Sequence, residues 1–146
     1  MLKSTVKLLP FLFLLLFAAN SCKKKNDQKS KTQLITEKSW IVSNDEYRVG
    51  TNPNWTSEYV NYSACEKDDF LKFEANNTGV ANAGALKCGA EPQTLPFNWS
   101  FTDSETKLSL QGESYKIEQL TESTLVISYE DNSVSPIEYY RLTFRH

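Results

Sequence analysis

Histidine is almost absent from this 146-residue chain, and the only one, His146, is the last residue. A general base must be held within hydrogen-bond reach of its substrate, and a chain end is a poor place to hold one. Ser-His-Asp and Cys-His catalysis are therefore not expected. Glycine is scarce too, at five residues, and none of them builds a glycine-rich phosphate loop. Cysteine occurs three times, as Cys22, Cys65 and Cys88, without the Cys-x-x-Cys spacing of a redox pair. Long apolar runs are missing with one exception, the twelve residues from Leu8 to Ala19. That run falls short of the roughly 20 residues needed to cross about 30 Å of hydrocarbon. It follows Lys3 and Lys7 and precedes small residues, which is the order of a secretory signal.

Ala19-Asn20-Ser21-Cys22 resembles the lipobox of bacterial lipoproteins. The resemblance implies removal of residues 1–21 as a signal peptide and lipidation of Cys22 through a thioether-linked diacylglycerol and an amide-linked acyl chain. One chain binds membranes only marginally at about 0.8 kcal/mol per buried CH2, whereas two or more anchor stably. A cell-envelope location is implied, with the outer membrane favoured because Lys23, not Asp, follows the cysteine. Cleavage without lipidation, giving a free periplasmic protein, is the alternative. With Cys22 carrying lipid, Cys65 and Cys88 remain to pair, and disulfides persist outside the cytoplasm. Such a bond is expected to be structural and to stabilise the fold by roughly 3 kcal/mol. With both thiols paired, the three or four ligands of a zinc site cannot be assembled. No metal and no cofactor are expected.

Lys23 to Lys31 holds five lysines in nine residues and no apolar side chain, so residues 22–31 read as a disordered tether. Its reach is roughly 30 Å. Lysines near an anionic leaflet gain about 1 kcal/mol each, so the tether either lies along the membrane or acts as a simple spacer. Of sixteen Lys and Arg and eighteen Asp and Glu, residues 1–31 hold seven and one. That leaves nine against seventeen in residues 32–146, a balance of −8. Such a domain repels phosphate backbones, and nucleic acid is excluded as a partner.

Residues 32–146 suit one domain. Thr32 to Lys38 can form a short helical turn capped by Thr32. From Trp40 onward the apolar period becomes two, with turn residues between short runs, the pattern of an antiparallel all-β domain. Runs at Trp40–Ser43, Asp69–Glu74, Gly79–Ala83, Phe97–Thr102, Leu108–Leu110, Tyr115–Ile117, Leu125–Tyr129 and Tyr140–Phe144 total eight strands. Sequential short turns point to an eight-stranded up-and-down meander closed into a barrel, which removes exposed edges. An immunoglobulin-like sandwich is the rival architecture, but it needs longer crossovers than this chain offers after Phe97. If Asn76 and Asn77 form a two-residue turn, opposed residues sum to 153, and Cys65 plus Cys88 gives the same sum. A bulge at Gly84 or Gly89 would shift that register.

A short helix leading into Trp40, then Cys65-Glu-Lys-Asp-Asp69, Leu71-x-Phe73, Asn76-Asn-Thr78, Cys88, Trp99-x-Phe101 and Tyr140-x-Leu-x-Phe144 resemble the lipocalin-like lipoprotein domains of Bacteroidetes. The likeness covers nearly all of residues 32–146. It implies an eight-stranded barrel and, by analogy with the wider superfamily, a small apolar ligand.

Fifteen aromatic residues lie outside the signal segment. Gly50 to Ser63 is a long connection, and long connections are uncommon unless functional or disordered. Its Trp55, Tyr59 and Tyr62 either fold over a barrel mouth as a lid or plug one end and complete the core, since a small barrel holds its own side chains or one small ligand. Trp55, Tyr59, Tyr62, Trp99, Tyr129 and Tyr140 are the candidate ligand contacts, because aromatic walls suit apolar molecules. Glu66, Asp68 and Asp69 could supply oxygen to calcium, but match no calcium loop and read better as solvated charges beside a strand. The expectation is a monomeric, non-enzymatic binder of a small apolar or amphipathic molecule. The alternative is an envelope module with a filled barrel that meets a protein or glycan through its surface.

Overall fold

The computed structural model describes residues 28–146. The proposed signal segment, Cys22 and the first lysines of the tether lie outside them. The described chain opens with a helix, α1 (Lys31–Thr36), whose N-cap is Ser30 and not Thr32. The Ser30 hydroxyl accepts from the Gln33 amide and the Gln33 side chain accepts from the Ser30 amide, a reciprocal capping box. Thr32 sits inside the first turn, and its carbonyl accepts from the Thr36 hydroxyl at 2.7 Å. Two lysines assigned to the tether are engaged here. Lys29 pairs with Glu37 at 2.6 Å and Glu122 at 3.2 Å, and Lys31 donates to the Glu105 carbonyl.

After α1 come β1 (Ser39–Val49), β2 (Thr56–Ser57), a 3-10 turn at Tyr59–Asn61, α2 (Ala64–Lys67), β3 (Phe70–Phe73) and β4 (Thr78–Asn82). The rest is β5 (Thr94–Thr102), β6 (Lys107–Leu110), β7 (Glu113–Leu120), β8 (Thr124–Asp131) and β9 (Glu138–Arg145). Every pairing is antiparallel, β3 to β9 follow one another in order, and β9 returns to β1. The protein is thus an all-β meander closed into an eight-stranded barrel, as the alternation predicts. The two-residue β2 is an additional ninth strand on the edge of β1, held through Glu46↔Ser57 and Tyr47↔Thr56.

Paired residues point to the same face, so register defines the interior. Trp40, Leu71, Ala81 and Leu95 form one inward row across β1, β3, β4 and β5. A bulge between Val42 and Asn44 changes the phase of β1. Val42 faces inward before it, opposite Phe144, and Asp45 and Tyr47 share the inward face after it, opposite Leu142 and Tyr140. The core consists of Ile35, Trp40, Phe73, Phe97, Trp99, Leu108, Leu125, Ile127 and Phe144. Side chains of this size each contribute about 1.5–3 kcal/mol on full burial. Phe73 packs edge-on to both Phe97 and Trp99, at 5.3 and 5.4 Å.

The β3–β4 turn departs from expectation by one residue. Glu74 donates to Thr78 at 2.8 Å and Asn77 donates back to Glu74 at 3.2 Å. The loop therefore has three residues, Ala75 to Asn77, with only Asn77 at positive φ (68°). Phe73 pairs with Gly79 and Phe70 with Asn82, so opposed residues sum to 152, not 153.

Candidate functional site

The two ends of the barrel differ. One is closed by α1, where Trp40 is fully buried and donates from its indole nitrogen to the Ile35 carbonyl at 2.8 Å. His146 packs on the Trp40 ring with centroids 3.9 Å apart. Its Nδ1 lies 2.7 Å from the Ser39 carbonyl oxygen, which can only accept, so that nitrogen carries the proton. The chain end is held after all, but against structural groups.

Toward the other end the interior opens into a cavity of about 750 Å³. Its apolar wall is Trp40, Val42, Leu71, Ala81, Leu95 and Phe144. Its rim is Ser63, Cys65, Glu66 and Asp69 on one side and Cys88, Glu91 and Pro92 on the other. The size falls within the range of small-molecule sites.

Two links hold the rim together. Cys65 and Cys88 form a disulfide with Cα atoms 5.2 Å apart. The pairing is as expected, but the hairpin geometry is not: Cys65 lies in α2 and Cys88 in the connection 83–93, so neither belongs to a strand. The second link is Asp68, whose Oδ2 accepts from the Ala85 and Leu86 amides at 2.7 and 2.9 Å. That approach requires glycine at position 84. Its φ is +57°, and a β-carbon there would sit 2.5 Å from the Asp68 carbonyl oxygen. Glu66, the third acid of this cluster, accepts from Ser63 in the capping box of α2.

On the inward face of β1, β7, β8 and β9, past Ile127 and Leu142, tyrosines replace aliphatic residues. Tyr129 stacks on Tyr140 with centroids 4.8 Å apart, Tyr115 meets Tyr129 edge-on at 5.5 Å, and Tyr47 lies 6.4 Å from Tyr140. Tyr62, from the connection after β2, donates to Asp45 Oδ2 at 2.6 Å. Burial, then this hydrogen bond, push the Tyr62 phenol well above its ordinary value. The hydrogen bond to Glu138 raises Tyr140 to about 12. Burial raises Tyr115 and Tyr129 as well.

The six candidate aromatic contacts are thus dispersed, and none lines the 750 Å³ cavity. Tyr62, Tyr129 and Tyr140 belong to the tyrosine group just described. Tyr59 lies 5.4 Å from Tyr62 and beneath the Lys67 ammonium. Trp99 is in the core, with its indole nitrogen shared between the Glu74 and Thr78 carbonyls. Trp55 neither covers nor plugs the mouth. It lies against the outside of the barrel, with the guanidinium of Arg141 4.2 Å and that of Arg48 5.3 Å from its ring centre. There it helps line a polar groove of about 620 Å³ with Glu46, Arg48, Tyr139, Arg141, Tyr129 and Tyr140. Of the cavity wall, Leu71 and Ala81 lie in strands expected from the alternation, whereas Leu95 precedes the expected start at Phe97 because β5 begins at Thr94.

The fold and cavity together define a closed antiparallel β-barrel with one accessible end. No protein-family model matches the chain, and no curated protein is significantly similar to it in sequence.

Proposed function

We propose that this protein is a membrane-anchored, lipocalin-like lipoprotein of the cell envelope that binds a small apolar or amphipathic molecule without transforming it. The observation that carries the reading is the 750 Å³ cavity, walled by an unbroken apolar row from Trp40 to Leu95. The cavity opens to solvent at its rim and leaves apolar side chains such as Leu95 uncovered, and exposed apolar surface of this kind marks binding sites. Two rim segments are locked by a disulfide and by Asp68, so the site is pre-formed and little ordering opposes binding. The anchor rests on the signal-like segment and the lipobox at Cys22. The one hydroxyl beside a carboxylate on the rim, Ser63 donating to Glu66 at 2.7 Å, belongs to the capping box of α2, which accounts for the pair without catalysis.

The test is native mass spectrometry and solvent extraction of the protein purified from membranes, beside an Ala81→Leu variant whose longer side chain narrows the cavity. The native protein should carry a small apolar molecule that the variant carries in reduced amount. A barrel without a guest, unable to take up apolar probes, refutes the reading. For the anchor, Cys22→Ser should leave the membrane fraction, and unchanged partitioning counts against it.

A further inference from the structure

Every ionisable side chain lining the cavity is a carboxylate: Glu66, Asp69 and Glu91, with no lysine, arginine or histidine among the lining residues. None of the three belongs to an ion pair among the described residues. Burial raises the Asp69 pKa, and the neighbouring charges of Asp68, Glu66 and Glu91 raise it further, so these groups repel one another across the rim. Next to Asp69 in sequence, though not itself lining the cavity, Asp68 has its Oδ1 oxygen buried with no hydrogen-bond partner among the described residues while its Oδ2 accepts from Ala85 and Leu86. Of the lysines beside the rim, Lys67 lies 5.1 Å from the Tyr59 ring centre and Lys87, next to Cys88, joins no ion pair among the described residues. The tyrosine group beyond Asp45 adds electron-rich ring faces on the neighbouring wall. Glu66 caps α2 and Asp68 ties the rim, but no side-chain hydrogen bond or ion pair among the described residues uses Asp69 or Glu91 at the entrance of the apolar cavity, whereas a guest with a positive head and an apolar body would offset their repulsion and fill the space.

Building on the binding reading above, we infer that the cavity takes an amphipathic organic cation, an amine or quaternary ammonium whose apolar body lies against Leu71, Ala81 and Leu95 while its charge sits between Asp69 and Glu91. A neutral body of the same shape binds by burial alone, and an anion is repelled.

Three water-soluble probes share one body and differ only in charge: phenylbutylamine, phenylbutanol and phenylbutyrate. Calorimetry and saturation-transfer NMR on the full chain, against a reference without protein, should rank them in that order. The amine should exceed the alcohol about tenfold, the factor given by 1.4 kcal/mol of attraction, and the gap should shrink at high salt. The Asp69→Asn/Glu91→Gln pair should bring amine and alcohol within about twofold and leave the alcohol unchanged, which also shows that the variant is folded. If alcohol and amine bind equally to the native protein, the cationic class is overturned while the binding reading stands. If no probe binds, or if Ala81→Leu leaves all three unaffected, the binding reading falls and takes this inference with it.

Discussion

Removing the disulfide by Cys65→Ala with Cys88→Ala separates two accounts of what the bond does. The cysteines are 23 residues apart, and the chain-entropy relation for a loop of that length gives about 3.4 kcal/mol at 25 °C. Unfolding entropy of roughly 2.1 cal/mol/K per residue, taken over residues 28–146, amounts to about 0.25 kcal/mol/K. The expected loss in Tm is therefore about 14 °C. Because this stabilisation comes from restricting the unfolded chain, it should appear in the global transition even though α2 and the 83–93 connection are peripheral to the core. Urea unfolding followed by Trp fluorescence should show the midpoint falling and the m-value rising, since the uncrosslinked chain exposes more surface when unfolded. The native rim should stay closed, because Asp68 still accepts from Ala85 and Leu86. A global loss below about 1 kcal/mol, with fast amide exchange confined to residues 83–93, would refute the argument and make the bond a local clasp.

Gly79→Ala should destabilise by about 2 kcal/mol or more, since a β-carbon there would sit 2.3 Å from Phe97 Cζ and 2.7 Å from the Lys72 carbonyl; a normal urea midpoint would contradict the packing. Trp99→Phe removes the indole donor shared by the Glu74 and Thr78 carbonyls, which keep their backbone donors, and should cost roughly 1–2 kcal/mol in the same assay. Arg141→Ala breaks the half-exposed pair with Glu46 at 2.7 Å and the stack on Trp55; the global cost should stay within about 1 kcal/mol, with faster amide exchange at Thr56 and Ser57. Ultraviolet titration should find Tyr62, Tyr115, Tyr129 and Tyr140 ionising above the ordinary value of 10, with Tyr140 near 12. These folded-state values lie above the unfolded ones, so the stability they represent is complete below pH 10 and is lost as pH rises toward 12; a single titration at 10 for all tyrosines would contradict the geometry.

The barrel was legible because its strands from Phe70 onward alternate, with one irregularity in β7 between Ile117 and Gln119, and the turns from β5 to β9 are short enough to force sequential pairing. The first, β1, was legible only to Ser43. Ser43 to Glu46 are polar on both faces of the strand, so the alternation stops at the bulge between Val42 and Asn44 although the strand continues to Val49. With it went Asp45 and Tyr47, and hence the group that Tyr62 joins. The disulfide pairing was legible from the number of cysteines, but its setting was not. A one-residue error at Asn76-Asn77 placed it in a hairpin, whereas the register sum of 152 would set the cysteines out of line had those strands continued. Large aromatic side chains drew attention away from the cavity wall: Trp99 has the volume the core needs, and Trp55 finds two guanidinium groups outside. Small and acidic residues, Ala81, Asp69 and Glu91, define the opening instead. A cavity exists where side chains are too small to meet, so residues such as Ala81 are a better guide to where a barrel opens than its largest rings.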